Sequence, residues 1–395
     1  MKKRSLRKFI TFAIMTVIVG TAVPGQGAMA AQEQDNVETV SGNSINEQDK
    51  ADTDKADTIS GNSLEEEDDE FHVKGIYVSG PMAGSSNFDS LIELLDSTQL
   101  NTVVIDVKND DGQVTYNMDL DAVKETGACV EYIKDIDKLI STLKEHNIHT
   151  IARVVCFKDP ILAESRQNLA LLKADKSAVT DGNGLPWVNP YNTGVWKYIV
   201  DIARQAAKDG FDEVQFDYVR FPVGSEAESA MYGVAMNSNI KIQTIKSFLK
   251  YATYQLHQED VIVSADVFGT IIGSEIDKKS VGQDYAALGE IVDAISPMVY
   301  PSHYGPGNFG LSVPDAYPYE TVLAAMNKSV QELQDIPEED RAIVRPWLQA
   351  FTASWVDGHI QYDLAAIKAQ IQAVYDAGYD EWILWNAANR YNFSD

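Results

Sequence analysis

Three aspartates stand where a short apolar run, of the kind that makes a buried strand, gives way to a loop. Asp217 interrupts FDEVQFDYVRFP (211–222), Asp266 interrupts SADVFG (264–269) and Asp106 interrupts VVIDVKNDDG (103–112). A strand interior has little use for a carboxylate unless the acid has a partner or a task. Strands that neighbour one another lie ~4.8 Å apart. Carboxylates at adjacent strand ends could then lie ~5–6 Å apart, the separation associated with retaining cleavage of a glycosidic bond. One acid would attack the anomeric carbon while the other protonates the leaving oxygen. A negative neighbour and partial burial can keep one of the two protonated. Asp217 is expected as nucleophile and Asp266 as acid/base, with Asp106 a further catalytic candidate. The same acids would also serve an ion-pair network, Asp217 with Arg220 or Arg153, or hold a magnesium ion among the three.

Side-chain alternation places these groups. Gln215 and Asp217 share one face of their strand, and Val214, Phe216 and Tyr218 share the other, apolar face that helices would cover. Ser264 and Asp266 repeat the inward pattern, as do Asp106 with Lys108, and Arg153. Around them, aromatic and amide residues gather at expected strand ends: Tyr300, His303 and Tyr304, Trp347 and Gln349, Trp385 and Asn386. Trp187 and Asn189 lie in a long loop nearby. Aromatics stack on the apolar faces of sugar rings and amides fix hydroxyl patterns. These residues, with Lys108, Arg153 and Arg220, are the substrate-binding candidates. No HxH, HExxH or paired Cys/His spacing occurs and no G-x-S-x-G elbow, so neither a structural or catalytic metal nor a cofactor is expected.

The elements that must position these residues are strands at Val73–Ser79, Thr102–Lys108, Thr150–Cys156, Glu213–Tyr218, Val261–Val267, Ala294–Tyr300, Ile343–Ala350 and Glu381–Asn386. Amphipathic helices are expected at Phe88–Ser97, Ile136–His146, Val195–Lys208, Ile240–His257, Tyr319–Leu333 and Leu364–Ala377. Gly210 and Gly378 follow two of them as stop signals. Strands alternating with helices give an α/β parallel sheet, and a count of eight gives closure into a (β/α)8 TIM barrel. The first strand–helix turn lacks the G-x-G-x-x-G spacing of an open dinucleotide-binding sheet. Nine residues follow Asn386, too few for the usual eighth helix, so that helix is expected to be missing.

The chain before residue 71 reads differently. Five basic residues precede an apolar stretch from Phe9 to Val23, and Ala28–Ala30 supplies small residues for cleavage, the pattern of an export signal over 1–30. The apolar stretch is short for a spanning helix. Residues 31–70 carry fourteen acids against two lysines and no aromatic residue, a disordered acidic linker by composition. Within it Thr39–Ser44 returns as Thr58–Ser63, too little for a solenoid. Of the formal charge of −27, the first thirty residues contribute +5 and residues 31–70 contribute −12, leaving −20 for 71–395. Such a domain does not suit nucleic acid and is compatible with neutral or cationic sugars. With two cysteines, Cys129 and Cys156, stability must come from one core rather than from a disulfide framework. A secreted, extracellular or cell-wall-associated monomer is expected, with no stable membrane anchor after signal cleavage.

The motifs GIYVSG (75–80), VVIDVKNDDG (103–112), WVNP (187–190), FDEVQFDYVRFP (211–222), SADVFG (264–269), ISPMVYPSHY (295–304), RPWLQAF (345–351) and WILWNAANRY (382–391) occur together. On these the chain, from about Val73 to Tyr391, resembles a bacterial family of glycoside-hydrolase-like proteins catalogued as a domain of unknown function. That family is distantly related to the α-amylase-like (β/α)8 enzymes. The resemblance implies a barrel with Asp217 in the place of the strand-four nucleophile. Two positions depart from the amylase-like pattern: Gln215 stands where those enzymes carry arginine, and Asp266 where they carry glutamate. The expected function is hydrolysis of an O-glycosidic bond in a bacterial surface or environmental polysaccharide, with retention. The alternative is a catalytically silent carbohydrate-binding barrel, and a lyase or transglycosylase would use the same acids.

Overall fold

The computed structural model describes residues 71–395; the signal and linker read from 1–30 and 31–70 lie outside the described residues. Eight strands form the barrel: β1 (Lys74–Val78), β2 (Thr102–Lys108), β3 (His149–Val155), β4 (Glu213–Asp217), β5 (Ile262–Phe268), β6 (Ala294–Val299), β7 (Trp347–Gln349) and β8 (Trp382–Trp385). Each pairs in parallel with the next, and β1 pairs with both β2 and β8, which closes the sheet. The helices that follow β1 to β7 in turn are α1 (Phe88–Asp96), α2 (Ile136–Glu145), α3 (Thr193–Lys208), α4 (Ser238–His257), α5 (Tyr285–Gly289), α6 (Pro318–Leu333) and α7 (Leu364–Asp376). This is a (β/α)8 barrel with the expected strand positions met to within a residue or two, except for the seventh.

That strand is broken. Ile343–Val344 and β7 both pair with β6, and Arg345-Pro346 separates them. Pro346 has no N–H to give the ladder, although its carbonyl still accepts from Ile383 N. Local chemistry sets the helix starts: Asp135, Asn192, Asn237 and Asp363 each accept a backbone N–H in the first turn of α2, α3, α4 and α7. Gly210, with φ of 102°, turns the chain from α3 toward β4 in a conformation other residues adopt at a cost.

Two apolar layers result. One lies between strands and helices, where Val103, Ile105, Val214, Phe216, Val263 and Ala265 meet helix residues such as Ile199 and Phe248. The other fills the barrel with Val73, Tyr77, Val104, Ile151, Tyr300, Trp347 and Ile383. Below it sits a buried charged layer. Arg345 bonds Glu213 at 2.7 and 3.0 Å and Glu381 at 2.8 Å, and Ser264 donates to Glu213.

Among the described residues no helix follows β8. Residues 386–395 cross that flank instead. Asn389 accepts from the Ser79 hydroxyl at 2.7 Å and donates to the Tyr77 carbonyl at 3.0 Å. The Tyr391 hydroxyl reaches the same carbonyl at 2.7 Å, and the Phe393 ring lies 5.9 Å from that of Trp382. Both cysteines are free thiols.

Candidate active site

The carboxyl ends of β3 to β8 surround a cavity of ≈ 460 Å³. Asp217 and Asp266 both line it, from adjacent strands β4 and β5, as the alternation of each strand requires. Asp217 Oδ2 accepts from Arg153 Nε at 3.0 Å and Nη2 at 2.5 Å. Its Oδ1 accepts from the Tyr218 amide at 2.5 Å. Arg153 Nη1 reaches Asp106 Oδ1 at 2.6 Å, and the other oxygen of Asp106 takes the Tyr77 hydroxyl at 2.6 Å. One guanidinium thus joins Asp106 and Asp217. The ion pair expected for Asp217 exists, and Arg153 rather than Arg220 makes it.

The arginine that Gln215 replaces, two positions before Asp217, finds its counterpart here. Arg153 on β3 stands directly opposite Gln215 in the strand register, so a guanidinium reaches the carboxylate from the neighbouring strand. Gln215 turns to Ser296, 3.2 Å away.

Asp266 has a different setting. It is 1% exposed and accepts Trp347 Nε1 on Oδ1 at 2.7 Å. Burial first, and then the charge of Asp217, push its carboxyl well above the ordinary range, the direction that favours its protonated form. Burial also raises Asp106, against the opposing pull of Arg153. The site therefore has one carboxylate anchored by three N–H donors and, across the same cavity, a second carboxyl whose surroundings favour its protonated form.

The remaining expected residues divide. Arg220, Tyr300, His303, Trp347 and Trp385 line the cavity. Arg220 lies over the rings of Phe268, Trp187 and Tyr218, with its carbon centre 4.5, 4.9 and 5.2 Å from their centroids. Trp385 packs on Tyr77 at 4.2 Å and places its ring 5.5 Å from Arg153. Trp187 is buried behind Arg220, outside the lining. Tyr304 is buried against Phe309, 5.1 Å between ring centres, and does not reach the cavity. Gln349 is consumed by Asp315, the Ser302 amide and Phe351 O, and Asn386 by Ala350 O and Arg390 O. Asn189 borders a separate, shallower cleft of ≈ 640 Å³ beside the Leu172–Lys173 and Ala230–Met231 strand pair.

Two orientations need correction. Lys108 does not share the phase of Asp106: a bulge between them shifts the register, and the ammonium is buried against Asp159 at 3.0 Å and Val155 O at 2.8 Å. Tyr218 does not face the helices. Strand β4 stops at Asp217, Tyr218 takes a left-handed φ of 49°, and its side chain enters the cavity.

Asp110 also lines the cavity and was not among the candidates. Burial would raise its carboxyl, but Arg153 and then Lys158, 3.1 Å away, bring it below the ordinary value. Its position two residues past the end of β2, inside the quoted VVIDVKNDDG motif, was the available signal.

A closed (β/α)8 barrel with paired acids at the carboxyl ends of its strands is the architecture of a glycoside hydrolase. The chain belongs to the family described as "Putative glycosyl hydrolase domain", whose model matches residues 75–391. Among solved structures, the PgaB (BpsB) glycoside hydrolase domain from Bordetella bronchiseptica is similar at a TM-score of 0.59 and 14% identity, over 80% of this chain and 94% of that one. A β-galactosidase from the haloarchaeon Halorubrum lacusprofundi is similar at 0.53 and 10%, over 79% of this chain and 52% of that one. A hypothetical protein from Ruminiclostridium thermocellum is 38% identical over 49% of this chain and 97% of its own, at a TM-score of 0.44. At their low identity the first two share the fold. No curated protein matches the chain in sequence.

Proposed function

We propose that the protein hydrolyses an O-glycosidic bond by a retaining, two-carboxylate mechanism, with Asp217 as nucleophile and Asp266 as acid/base. The observation that supports it is the contrast between two acids on one cavity: a carboxylate fixed by Arg153 and the Tyr218 amide, and a carboxyl pushed toward its protonated form by burial and by its neighbour's charge. Divergent environments for paired titratable groups are how one site runs nucleophilic and acid chemistry together. Asp217 attacks the anomeric carbon as Asp266 gives its proton to the leaving oxygen. The resulting Asp266 carboxylate then takes a proton from water, which cleaves the glycosyl ester on Asp217. Asp106 positions Arg153, and through it Asp217, and does not itself touch the sugar. Tyr300 and Trp385 offer stacking surfaces and His303 a polar contact, while Trp347, 1% exposed, backs Trp385 and holds Asp266.

The substrate in this reading is a bacterial surface or environmental polysaccharide. Residues 1–30 direct export, 31–70 act as a spacer, and the enzyme works outside the cytoplasm; the compositions of those segments support this. Digestion of a glycan panel by wild type and by Asp217→Asn tests the assignment. Sugar release by wild type alone, with the first-formed product in the anomeric form of the substrate, is expected. Binding by both proteins with release by neither would make the barrel a carbohydrate-binding module. Release with inverted anomer would remove Asp217 as nucleophile.

A further inference from the structure

The loop that leaves the carboxyl end of β7, residues 350–363, continues the cavity wall as a line of rings. Tyr300, in the cavity, meets Phe351 edge-on with centroids 6.0 Å apart and an interplanar angle of 70°. Phe351 then lies nearly parallel to Trp355, at 6.0 Å and 20°. Trp355 is 67% exposed, and among the described residues no other tryptophan is exposed. A single exposed apolar side chain is ordinary, but this one does not stand alone. It is propped on a second ring, and the ring behind that belongs to the cavity holding both acids. At ≈ 460 Å³ the cavity lies in the lower part of the ~300–1,000 Å³ usual for ligand sites. A ligand longer than the cavity would leave it along some wall, and this wall is aromatic.

We propose that Tyr300, Phe351 and Trp355 form a sugar-stacking track that carries a polysaccharide from the acids to the surface, with a binding site on Trp355 remote from the cleaved bond. The proposal rests on the glycoside hydrolase reading of Asp217 and Asp266 and narrows its substrate to a polymer that outreaches the cavity. Pyranose rings present flat C–H faces that such rings cover without needing charge. The −20 formal charge of residues 71–395 selects against a polyanion, so the polymer is neutral or cationic.

The test uses the full chain and a set of soluble polysaccharides (a β-glucan, a galactan, glycol chitin and chitosan), their short oligosaccharides and the matching aryl monoglycosides. Trp355→Ala should raise KM for a cleaved polymer about tenfold, equivalent to ~1.4 kcal/mol. It should leave kcat/KM for the aryl monoglycoside unchanged, and Trp355→Phe should restore most of the polymer affinity. In an Asp217→Asn background, polymer should change tryptophan emission, and adding Trp355→Ala should diminish that change more for polymer than for the short oligosaccharides, since Trp347 and Trp385 still line the cavity. Equal effects on polymer and monoglycoside, or an unaltered polymer KM, would overturn the track while leaving the hydrolase reading intact. Emission changes that need Trp355 in a protein that cleaves nothing would do the reverse. Neither cleavage nor an emission change with any of the four polymers would end both.

Discussion

At the scale of single residues, the proposed mechanism depends on one acid being neutral beside another that is charged. Asp266 must hold its proton to act, so activity should fall as pH rises through its elevated pKa. Trp347 Nε1 donates to Asp266 and favours the ionised form. Trp347→Phe removes that donor, and the alkaline limb of the kcat/KM profile should move to higher pH by about one unit. A shift to lower pH, or none, would show that Asp266 is not the group read by that limb. The same acid is costly to the fold. Its folded pKa lies above its unfolded value, so above the ordinary carboxylate range the unfolded chain releases a proton that the native state retains, and stability is lost as pH rises. Asp266→Asn should therefore raise Tm at neutral pH while abolishing turnover, a trade of stability for function. Arg153 works in the opposite sense. Arg153→Met would leave Asp106 and Asp217 buried without their shared cation and should destabilise the protein by about 3–5 kcal/mol, measured by chemical denaturation.

At the scale of elements, the junctions between strand and loop decide which side chains reach the cavity. Gly269, directly after β5, shows how little room one junction has. A Cβ there would stand 2.5 Å from the Met298 carbonyl oxygen and 2.6 Å from the Tyr304 hydroxyl. Backbone cannot retreat as a flexible side chain can, so Gly269→Ala should cost about 1–3 kcal/mol and displace Asp266 along with the end of its strand. Denaturant midpoints and residual activity would read the two effects, and a wild-type midpoint would show that the junction has slack. Junctions are also where sequence patterning failed. Period-two alternation correctly turned Asp106, Arg153, Gln215, Asp217 and Asp266 inward because those residues lie within regular strands. It misplaced Lys108 because a bulge inserts a residue, and Tyr218 because a left-handed turn ends the strand one position early. Neither event leaves a trace in apolar spacing. The amides Gln349 and Asn386 stand at strand ends as expected, yet spend their hydrogen bonds on neighbouring loop backbone, a partnership visible only in three dimensions.

At the scale of the whole molecule, the barrel carries its site chemistry at one end and a structural charge cluster at the other. Burial alone would raise Glu213, but Arg345, with His149 and Ser264, holds it down at about 2. A depressed carboxyl contributes stability that is present above its ordinary value of 4.5 and is lost as pH falls toward about 2. Glu213→Gln should flatten the acid side of the stability–pH curve over that window and lower stability at neutral pH, since Arg345 then keeps only Glu381. A curve with its original acid slope would mean that other carboxylates set the acid limit.

The segment across the β8 flank has a kinetic meaning. Asn389 joins Ser79 and Tyr77 across 310 and 312 positions of sequence. Few contacts in a chain are entropically harder to make early, because the loop they close is nearly the whole domain. A contact made after the rate-limiting barrier slows escape from the native state more than it speeds arrival, so Asn389→Ala should speed unfolding and leave the refolding rate nearly unchanged in stopped-flow denaturant jumps. Tyr77 carries Asp106 on its hydroxyl and this clasp on its carbonyl. One residue thus ties the charged groups of the site to the segment that crosses the open flank, beside the β1–β8 pairing that closes the barrel.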